Sequence, residues 1–308
     1  MSESEWVPGD HEFALCLTHD VDRPYKTYQS LYYALKERDP SHLRGLLPGS
    51  NPYWTFQEML DLESELGVTS AFYFLNEQDL FADRPPRDWL SGTAWQLYAG
   101  RYDIEDPEII SLIREIDDRG WEVGLHGSYE SYADREMLAT EKRHLEDVLG
   151  HEVTGGRQHY LNIERPETWT YQRAAGLQYD ATPGSPSDYG FHDGYDPYRP
   201  FDDEFVVFPL TLMECALPDP GTNVEKAWQI CERLLTEARA NDAVMSVLWH
   251  PRFFSDDYQS YDVIYRRIVE RALEMDAWVG APGTLYETLD HQSMPQAVAE
   301  ERASQSAD

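Results

Sequence analysis

The chain has 308 residues, of which 41% are hydrophobic and 13% aromatic, so it can build a sizeable core. Its formal net charge is -32 with acids spread throughout, which disfavours nucleic acid and anionic membranes as partners. Disordered acidic chains lack aromatic residues, whereas this chain has 20 Tyr and 9 Trp. We therefore expect a folded globular protein.

The basic residues are almost all arginine, because only Lys26, Lys36, Lys142 and Lys226 are lysines. This balance predicts adaptation to high salt, where screening shortens the electrostatic range to about 3 Å and makes self-repulsion tolerable. The start of the chain has neither a basic segment nor an apolar one, and no run approaches the roughly 18 apolar residues of a membrane span. The three cysteines are too widely spaced for a metal box or a disulfide framework. A cytoplasmic location is predicted.

Strand-like and helix-like segments alternate along the chain. Strands are predicted near residues 13–18, 69–75, 121–126, 153–158, 177–181, 205–210, 243–249 and 277–280, and helices near 54–67, 106–119, 132–149, 164–176, 224–240 and 258–275. Four of the helices end at a glycine suited to a left-handed cap: Gly67, Gly120, Gly150 and Gly176. Seven or eight β/α units without a linker predict one parallel barrel domain over residues 11–290, with a disordered tail at 291–308.

Two predicted connections are long, at residues 23–53 and 76–105, and both follow carboxyl ends of strands. They are rich in aromatic residues, namely Tyr25, Tyr28, Tyr32, Tyr33 and Tyr53 in the first and Trp89, Trp95, Tyr98 and Tyr102 in the second. Long loops at this position are often lids or substrate walls. Aromatic side chains there suit sugar rings, although packing that holds the loops to the barrel is an equally good interpretation.

Polar residues follow four of the predicted strands. The first strand ends in Asp20-Val21-Asp22, and later strands end in His126, in Arg157-Gln158-His159-Tyr160 and in His250. A single Asp after a strand is commonly a turn former or helix cap. Because the carboxyl ends of parallel strands meet at one rim, four such ends together predict a single site.

These motifs resemble those of the polysaccharide deacetylases, in the same order and at similar separations. The segments are Thr18-His19-Asp20-Val21-Asp22, His126-Gly127-Ser128-Tyr129-Glu130, Arg157-Gln158-His159-Tyr160 and Leu248-Trp249-His250. The resemblance implies a distorted (β/α)7 barrel of α/β class, one divalent metal ion, and removal of acetyl groups from amino sugars. It covers roughly residues 11 to 290.

The resemblance also implies roles for individual residues. Asp20 matches the general base, Arg157 the arginine that orients this base, and His250 the general acid. Tyr160 matches a position whose backbone N–H stabilises the oxyanion, and Trp249 is placed with it among the substrate-binding residues. The family commonly has adjacent acids at the first motif, so the insertion of Val21 leaves open an exchange of roles between Asp20 and Asp22.

The predicted metal ligands are Asp22 and His126 with a third residue that the sequence leaves open. The family's second motif has two histidines four residues apart, and here the later position is Glu130. Glu130 can itself bind a metal, and His159, where the family usually has proline, is the alternative; loss of the metal site is a third. Oxygen ligands favour manganese, iron or nickel relative to zinc.

The predicted function is that of a metal-dependent hydrolase that removes N-acyl groups from an amino sugar in a glycan or glycan precursor. Two alternatives remain: hydrolysis of another non-peptide amide such as a ureide, and a catalytically silent carbohydrate-binding protein. Asp20 together with His250 favours an enzyme, whereas Glu130 keeps the silent alternative open. The sequence does not indicate the oligomeric state.

Overall fold

The computed structural model describes residues 6–26, residues 51–289 and the isolated positions 30, 34, 35, 38 and 43. Tyr28, Tyr32 and Tyr33 of the first long connection lie outside the described residues, as does the predicted tail at 291–308. Within the described residues, no helix is long and apolar enough to cross a membrane.

The described chain forms one curled α/β domain around a parallel sheet, as predicted. Its strands are β1 (Phe13–Val21), β2 (Ala71–Leu75), β3 (Glu122–Gly127), β4 (Gly155–Gln158), β5 (Tyr179–Asp180), β6 (Val206–Val207), β7 (Leu212–Met213), β8 (Val244–Leu248) and β9 (Ala277–Gly280). The spatial order is β6-β5-β4-β3-β2-β1-β8-β7, and β9 pairs with β1. All these ladders are parallel, so the strands present their carboxyl ends at the same rim.

Strand β1 lies at the centre of the sheet, and all nine of its residues are buried. One edge pairs with β8, while the other pairs with β9 over residues 13–16 and with β2 over residues 18–21. Phe13, Leu15 and Leu17 pack among helices, whereas Ala14 and Cys16 pack inside the barrel. By this alternation Thr18 and Asp20 also face the interior, at the carboxyl end of the strand.

Eight α-helices occur in the described part of the chain. They are α1 (Phe56–Leu66), α2 (Gly92–Gly100), α3 (Pro107–Asp118), α4 (Arg135–Leu149), α5 (Glu167–Ala174), α6 (Pro220–Ala240), α7 (Tyr261–Glu274) and α8 (Pro282–Thr288). The six predicted helices correspond to α1 and α3 to α7. The four predicted glycine caps have φ between 71° and 93°, the left-handed region that glycine adopts without a steric penalty.

Three elements were not predicted from the sequence: α2, α8 and the two-residue strand β7. Helix α2 and a 3₁₀ helix at Pro86–Leu90 occupy the connection predicted as a loop over 76–105. Only Ala94 and Leu97 of α2 are buried, too few to give a helical apolar period. Its start is fixed locally, because the Ser91 side chain accepts a hydrogen bond from the backbone N–H of Ala94.

Candidate active site

A pocket of about 220 Å³ opens at the carboxyl ends of the strands. Eight of its twelve lining residues have charged or polar side chains, and they come from segments that are far apart in the sequence. Its lining residues are Asp20, Asp22, Arg23, His126, His159, Tyr160, Leu161, Pro186, Met213, Cys215, His250 and Arg252. Most of the predicted site residues therefore lie around one cavity.

Asp20 is held at the floor of the pocket by Arg157. The Arg157 Nη1 donates to Asp20 Oδ1 at 2.8 Å and to Thr18 Oγ1 at 2.9 Å, and its Nε donates to the carbonyl of Ala181 at 2.8 Å. Burial by itself raises the pKa of the Asp20 carboxyl, but at the acid pH where this carboxyl titrates, a protonated His126 and the Arg157 guanidinium outweigh burial and lower that pKa. Asp20 is thus held as a carboxylate with its second oxygen, Oδ2, towards His126.

Asp22 follows β1 directly and lies near three cationic or imidazole side chains. Its Oδ1 accepts a hydrogen bond from Arg252, while Oδ2 lies 3.9 Å from His159 Nε2 and 4.0 Å from His250 Nε2. Burial raises the pKa of Asp22, and the nearby positive charge of Arg252 more than reverses this, so the pKa falls well below its usual range. Asp22 is therefore also ionised.

His126 comes from the end of β3 and faces Asp20. Its Nδ1 lies 3.0 Å from the carbonyl oxygen of Arg157, which fixes the proton on Nδ1 and leaves Nε2 as an acceptor 3.7 Å from Asp20 Oδ2. Burial lowers the pKa of His126 to about 4, so the ring is neutral near pH 7. A neutral imidazole with its Nε2 lone pair in a pocket is the form that binds metal ions.

His159 and Glu130, the two alternatives for a third ligand, occupy different surroundings. His159 is buried and lines the pocket, with its ring centroid 5.1 Å from that of His126. The Glu130 side chain is half exposed, does not line the pocket, and pairs with Arg84 at 3.3 Å. Arg84 also pairs with Glu77, whose Oε2 lies 3.6 Å from His159 Nδ1. The structure thus brings His159 together with Asp22 and His126. Glu130 contacts Arg84, and only Arg84 and Glu77 connect it to His159.

His250 is backed by a residue that the sequence analysis missed. Its Nδ1 lies 2.6 Å from Oε1 of Glu214, a fully buried carboxylate in the turn after β7. The other ring nitrogen, Nε2, points towards the pocket beside Asp22. A carboxylate that accepts the Nδ1 proton orients the imidazole and holds its Nε2 in the position from which a general acid would act.

These side chains share one pattern. Asp20, Asp22, His126 and His250 each have one polar atom hydrogen-bonded to the protein and a second polar atom directed into the pocket. Among the described residues, no three His, Cys, Asp or Glu side chains form a ready metal-ligand group. The Asp22 Oδ2 to His159 Nε2 distance of 3.9 Å is slightly wider than the ligand separation of about 3.4 Å around a tetrahedral ion. Carboxylate and imidazole atoms together are a donor set that divalent ions such as zinc, manganese and iron accept.

Tyr160 lies at the mouth of the pocket in an unusual backbone conformation. Tyr160 and Leu161 have φ of 58° and 56°, a region that side-chain-bearing residues rarely adopt. Such strain persists where the surrounding structure enforces it, and it is common at functional sites. The Tyr160 side chain is exposed, and its ring packs against His159 at 4.5 Å. Tyr160 thus lines the pocket, and its contact with substrate stays a prediction.

Trp249 does not reach the pocket, and we correct its predicted role from substrate binding to packing. Its side chain is fully buried and packs against Tyr261 and Tyr265 on the helix side of the sheet. Its backbone carbonyl accepts a hydrogen bond from His19 Nδ1, and the other nitrogen of His19 lies 2.9 Å from buried Glu63. His19 and Trp249 therefore face away from the pocket, on the opposite side of the strands from Asp20 and His250.

Comparison with known structures identifies the architecture. A solved structure named as a polysaccharide deacetylase from Mycobacterium smegmatis is similar to this chain, with a TM-score of 0.62 and 19% sequence identity. The match covers 94% of this chain and 93% of that one. This is the polysaccharide deacetylase fold. A structure named as a polysaccharide deacetylase from Pseudomonas aeruginosa PAO1 has a TM-score of 0.61 and 15% sequence identity to this chain. That match covers 92% of this chain and 93% of the other. The allantoinase Puue also has the deacetylase fold, with a TM-score of 0.59 and 15% identity over 92% of both chains. No protein-family model and no curated protein matches the sequence.

Proposed function

We propose that the protein is a metal-dependent hydrolase that removes an N-acyl group from an amino sugar. The observation that carries this proposal is the pairing of Asp20 with Arg157 and of His250 with Glu214 around one pocket. Amide hydrolysis needs one group that takes a proton from water and another that gives a proton to the departing nitrogen. The pocket offers a carboxylate and an imidazole for these two tasks, and the names of two proteins with this fold, both polysaccharide deacetylases, support the same reaction.

In the proposed mechanism, Asp20 takes the proton of the attacking water. Arg157 keeps Asp20 ionised and in place, since it holds Oδ1 and leaves Oδ2 free. His250 gives a proton from Nε2 to the leaving amine, because an amine anion is too poor a leaving group to depart unprotonated. The strained turn at Tyr160 lies at the mouth of the pocket, and the backbone N–H of Tyr160 would stabilise the oxyanion that develops there.

The ion would be held by Asp22, His126 and His159. When bound, a divalent ion polarises the acyl carbonyl and lowers the pKa of water. The hydrogen bond of His126 to the Arg157 carbonyl and the proximity of Glu77 to His159 resemble the outer contacts that orient metal-binding imidazoles. Asp20 Oδ2 lies 3.7 Å from His126 Nε2, so Asp20 is also close to a proposed metal ligand. The metal content of the two aspartate variants therefore distinguishes the ligand from the base.

The test measures turnover and metal content on the same samples. Asp20→Asn and His250→Ala should each lower turnover of an N-acetylated amino sugar on the order of 10² or more, while the metal content largely survives. Asp22→Asn should lower both the metal content and the turnover. Asp118→Asn, an exposed change at the end of α3, controls for the loss of one charge. Loss of metal in Asp20→Asn but not in Asp22→Asn would reverse the roles of base and metal ligand assigned to the two aspartates. Near-normal turnover in both Asp20→Asn and His250→Ala would refute the assignment of the base and the acid.

Hydrolysis of a ureide such as allantoin is the second candidate. Its support is the allantoinase of the same fold, whose TM-score of 0.59 is close to the 0.62 of the first deacetylase. The same acid and base would serve a cyclic amide, so both substrates belong in the same assay. Turnover of allantoin without turnover of any acylated amino sugar would move the assignment to the ureide, and inactivity on both would favour a silent carbohydrate-binding protein.

A further inference from the structure

Arg23 lines the pocket without a carboxylate partner. It directly follows Asp22, and its side chain is half-buried. No carboxylate among the residues that the structure describes forms an ion pair with Arg23. The chain has 57 acidic and 25 basic residues, so a shortage of acids does not explain this. Four other arginines around the site each pair with a carboxylate: Arg157 with Asp20, Arg252 with Asp22, Arg84 with Glu77 and Arg101 with Asp79.

The stem of Arg23 packs on the last residue of α2, Gly100. A Cβ at Gly100 would lie 3.1 Å from Arg23 Nε and 3.6 Å from Arg23 Cγ, so glycine here lets the side chain pass close to the backbone. The next residue, Arg101, donates from Nε to the carbonyl of Glu77 at 3.0 Å and so attaches this end of α2 to the pocket wall behind His159. Arg23 thus has a built position at the wall of the pocket.

This side of the pocket has an excess of positive charge. Asp22 accepts a hydrogen bond from Arg252. Burial raises the pKa of Asp22, and among the positive charges that lower this pKa are Arg252 and, more weakly, Arg23. One carboxylate therefore faces two guanidinium groups, and a divalent ion bound at Asp22 would increase the excess. Unbalanced positive charge in a pocket attracts an anion.

We propose that Arg23 binds an anionic group, a carboxylate or a phosphate, on the acylated amino sugar that occupies the pocket. This inference rests on the proposed function and adds that the substrate is negatively charged. A guanidinium presents a planar fork of N–H donors that matches both kinds of anion. Arg252 lines the same pocket and adds positive charge beside the same site.

The net charge of -32 does not oppose this binding. At the molar salt to which the composition predicts adaptation, electrostatic interactions extend only about 3 Å, so acids elsewhere on the surface do not repel a ligand in the pocket. The contacts of Arg23 with an anion act within this range. A long polyanion would also contact the acidic surface outside the pocket, so the ligand is a small anionic sugar.

The experiment compares sugars that share the N-acetyl group and differ in charge. They are N-acetylglucosamine, its 1-phosphate, its 6-phosphate and N-acetylmuramic acid, which carries a carboxylate. Calorimetric affinities are measured in Asp20→Asn protein, so that turnover does not interfere. At least one anionic sugar should bind about tenfold or more tightly than the neutral sugar, the effect of a hydrogen bond between charged groups. Whether a phosphate or the carboxylate binds more tightly identifies the anion.

Variants of Arg23 in the same background test the assignment. Arg23→Gln should remove most of the preference for the anionic sugar, and Arg23→Lys, which keeps the charge but not the fork, should retain part of it. Arg239→Gln removes an exposed positive charge near the end of α6 and should leave the preference unchanged. The effect of Arg23→Gln should persist after a chelator has removed divalent ions, which separates binding to Arg23 from binding of phosphate to a metal. Circular dichroism checks that each variant is folded.

The outcomes separate this inference from the proposed function. Failure of every anionic sugar to bind more tightly than the neutral one overturns the inference, as does an undiminished preference in folded Arg23→Gln protein. A preference that depends on Arg23, without deacetylation of any of these sugars by the unaltered protein, would instead refute the proposed function and leave the anion site assigned.

Discussion

Asp20 and Arg157 form a buried ion pair between strands 137 residues apart in the sequence, with 2.8 Å between Oδ1 and Nη1. Arg157 is fully buried and its guanidinium lies 5.1 Å from the ring of Tyr73, so its charge has little contact with water. The pair joins β1 to β4 across the barrel interior. It thereby connects the stability of the fold to the position of the proposed base.

Replacement of Arg157 should therefore affect stability and activity together. Arg157→Gln leaves the Asp20 carboxylate buried without its partner, which typically costs about 3–5 kcal/mol of unfolding free energy. Arg157→Lys keeps the charge but loses the fork that holds Thr18, Asp20 and Ala181 at once, and we expect turnover to fall about tenfold or more. Urea unfolding and steady-state kinetics measure the two effects. A lysine variant with the parent's turnover would show that the fork is not needed to position Asp20.

Glu214 should act through His250. Glu214→Gln keeps the size of the side chain but removes the carboxylate that accepts the Nδ1 proton and orients the ring, so turnover should fall about 10-fold to 100-fold with unchanged metal content. Glu225→Gln, an exposed change on α6, is the matched control. A merely structural role for Glu214 would lower the unfolding temperature and leave kcat of the folded protein intact.

Metal content should distinguish His159 from Glu130. His159→Ala removes a side chain that lines the pocket and should abolish stable binding of the divalent ion, whereas Glu130→Gln, in a half-exposed ion pair with Arg84, should keep it. Glu77→Gln should weaken metal affinity about 10-fold to 100-fold, as expected for a residue that orients a ligand. Metal analysis after dialysis gives the result, and loss of metal only in Glu130→Gln would restore the ligand set with Glu130.

Stability should depend on pH through Glu141, a buried carboxyl on α4 that accepts a hydrogen bond from the backbone N–H of Ser128. Burial raises its pKa to about 8 from 4.5. As pH rises between these values the unfolded chain loses the proton first, so this group lowers stability progressively and its effect is constant above about pH 8. Glu141→Gln should gain stability relative to the parent between pH 5 and pH 8, on the order of a few kcal/mol.

Urea unfolding at the two pH values measures that gain, and Glu136→Gln, an exposed change on the same helix, controls for the loss of one charge. A constant difference between Glu141→Gln and the parent would mean that Glu141 is ionised throughout this range.

Salt should stabilise the fold, because repulsion among the acids that give a net charge of -32 weakens as ions screen it. The midpoint of thermal unfolding should rise steadily from low salt to molar salt. Since salts also act through the hydrophobic effect, sodium chloride should be compared with potassium chloride at equal ionic strength. Equal or greater stability at low salt would contradict the predicted adaptation.

The sequence was sufficient for the barrel and for most of the pocket, because buried strands that end in Asp20, His126, Arg157 and His250 share a rim by the geometry of parallel sheets. The glycine caps were predictable for a similarly local reason. Both signals lie within a few residues of the feature that they predict.

The missed residues depend on distant packing. Glu214 follows a strand of two residues, too short for an apolar pattern, and Glu77 and Arg252 lie in turns whose partners are far away in the sequence. Trp249 was placed wrongly in the pocket because alternation along a strand shows only which residues share a face, and the adjacent His250 was the better marker. The different surroundings of Glu130 and His159 are visible only in the structure, where Glu130 pairs with Arg84 and His159 lines the pocket.

The pairing of β1 has a consequence for the order in which the protein can fold during synthesis. β1 leaves the ribosome before the other described strands, yet β8 and β9, which cover both of its edges, are made more than 200 residues later. Until then the apolar strand that bears Asp20 lacks two of its three neighbours, and contacts of such long sequence separation form slowly. A nascent chain stopped before β8 should therefore bind chaperones through β1 and contain no assembled pocket.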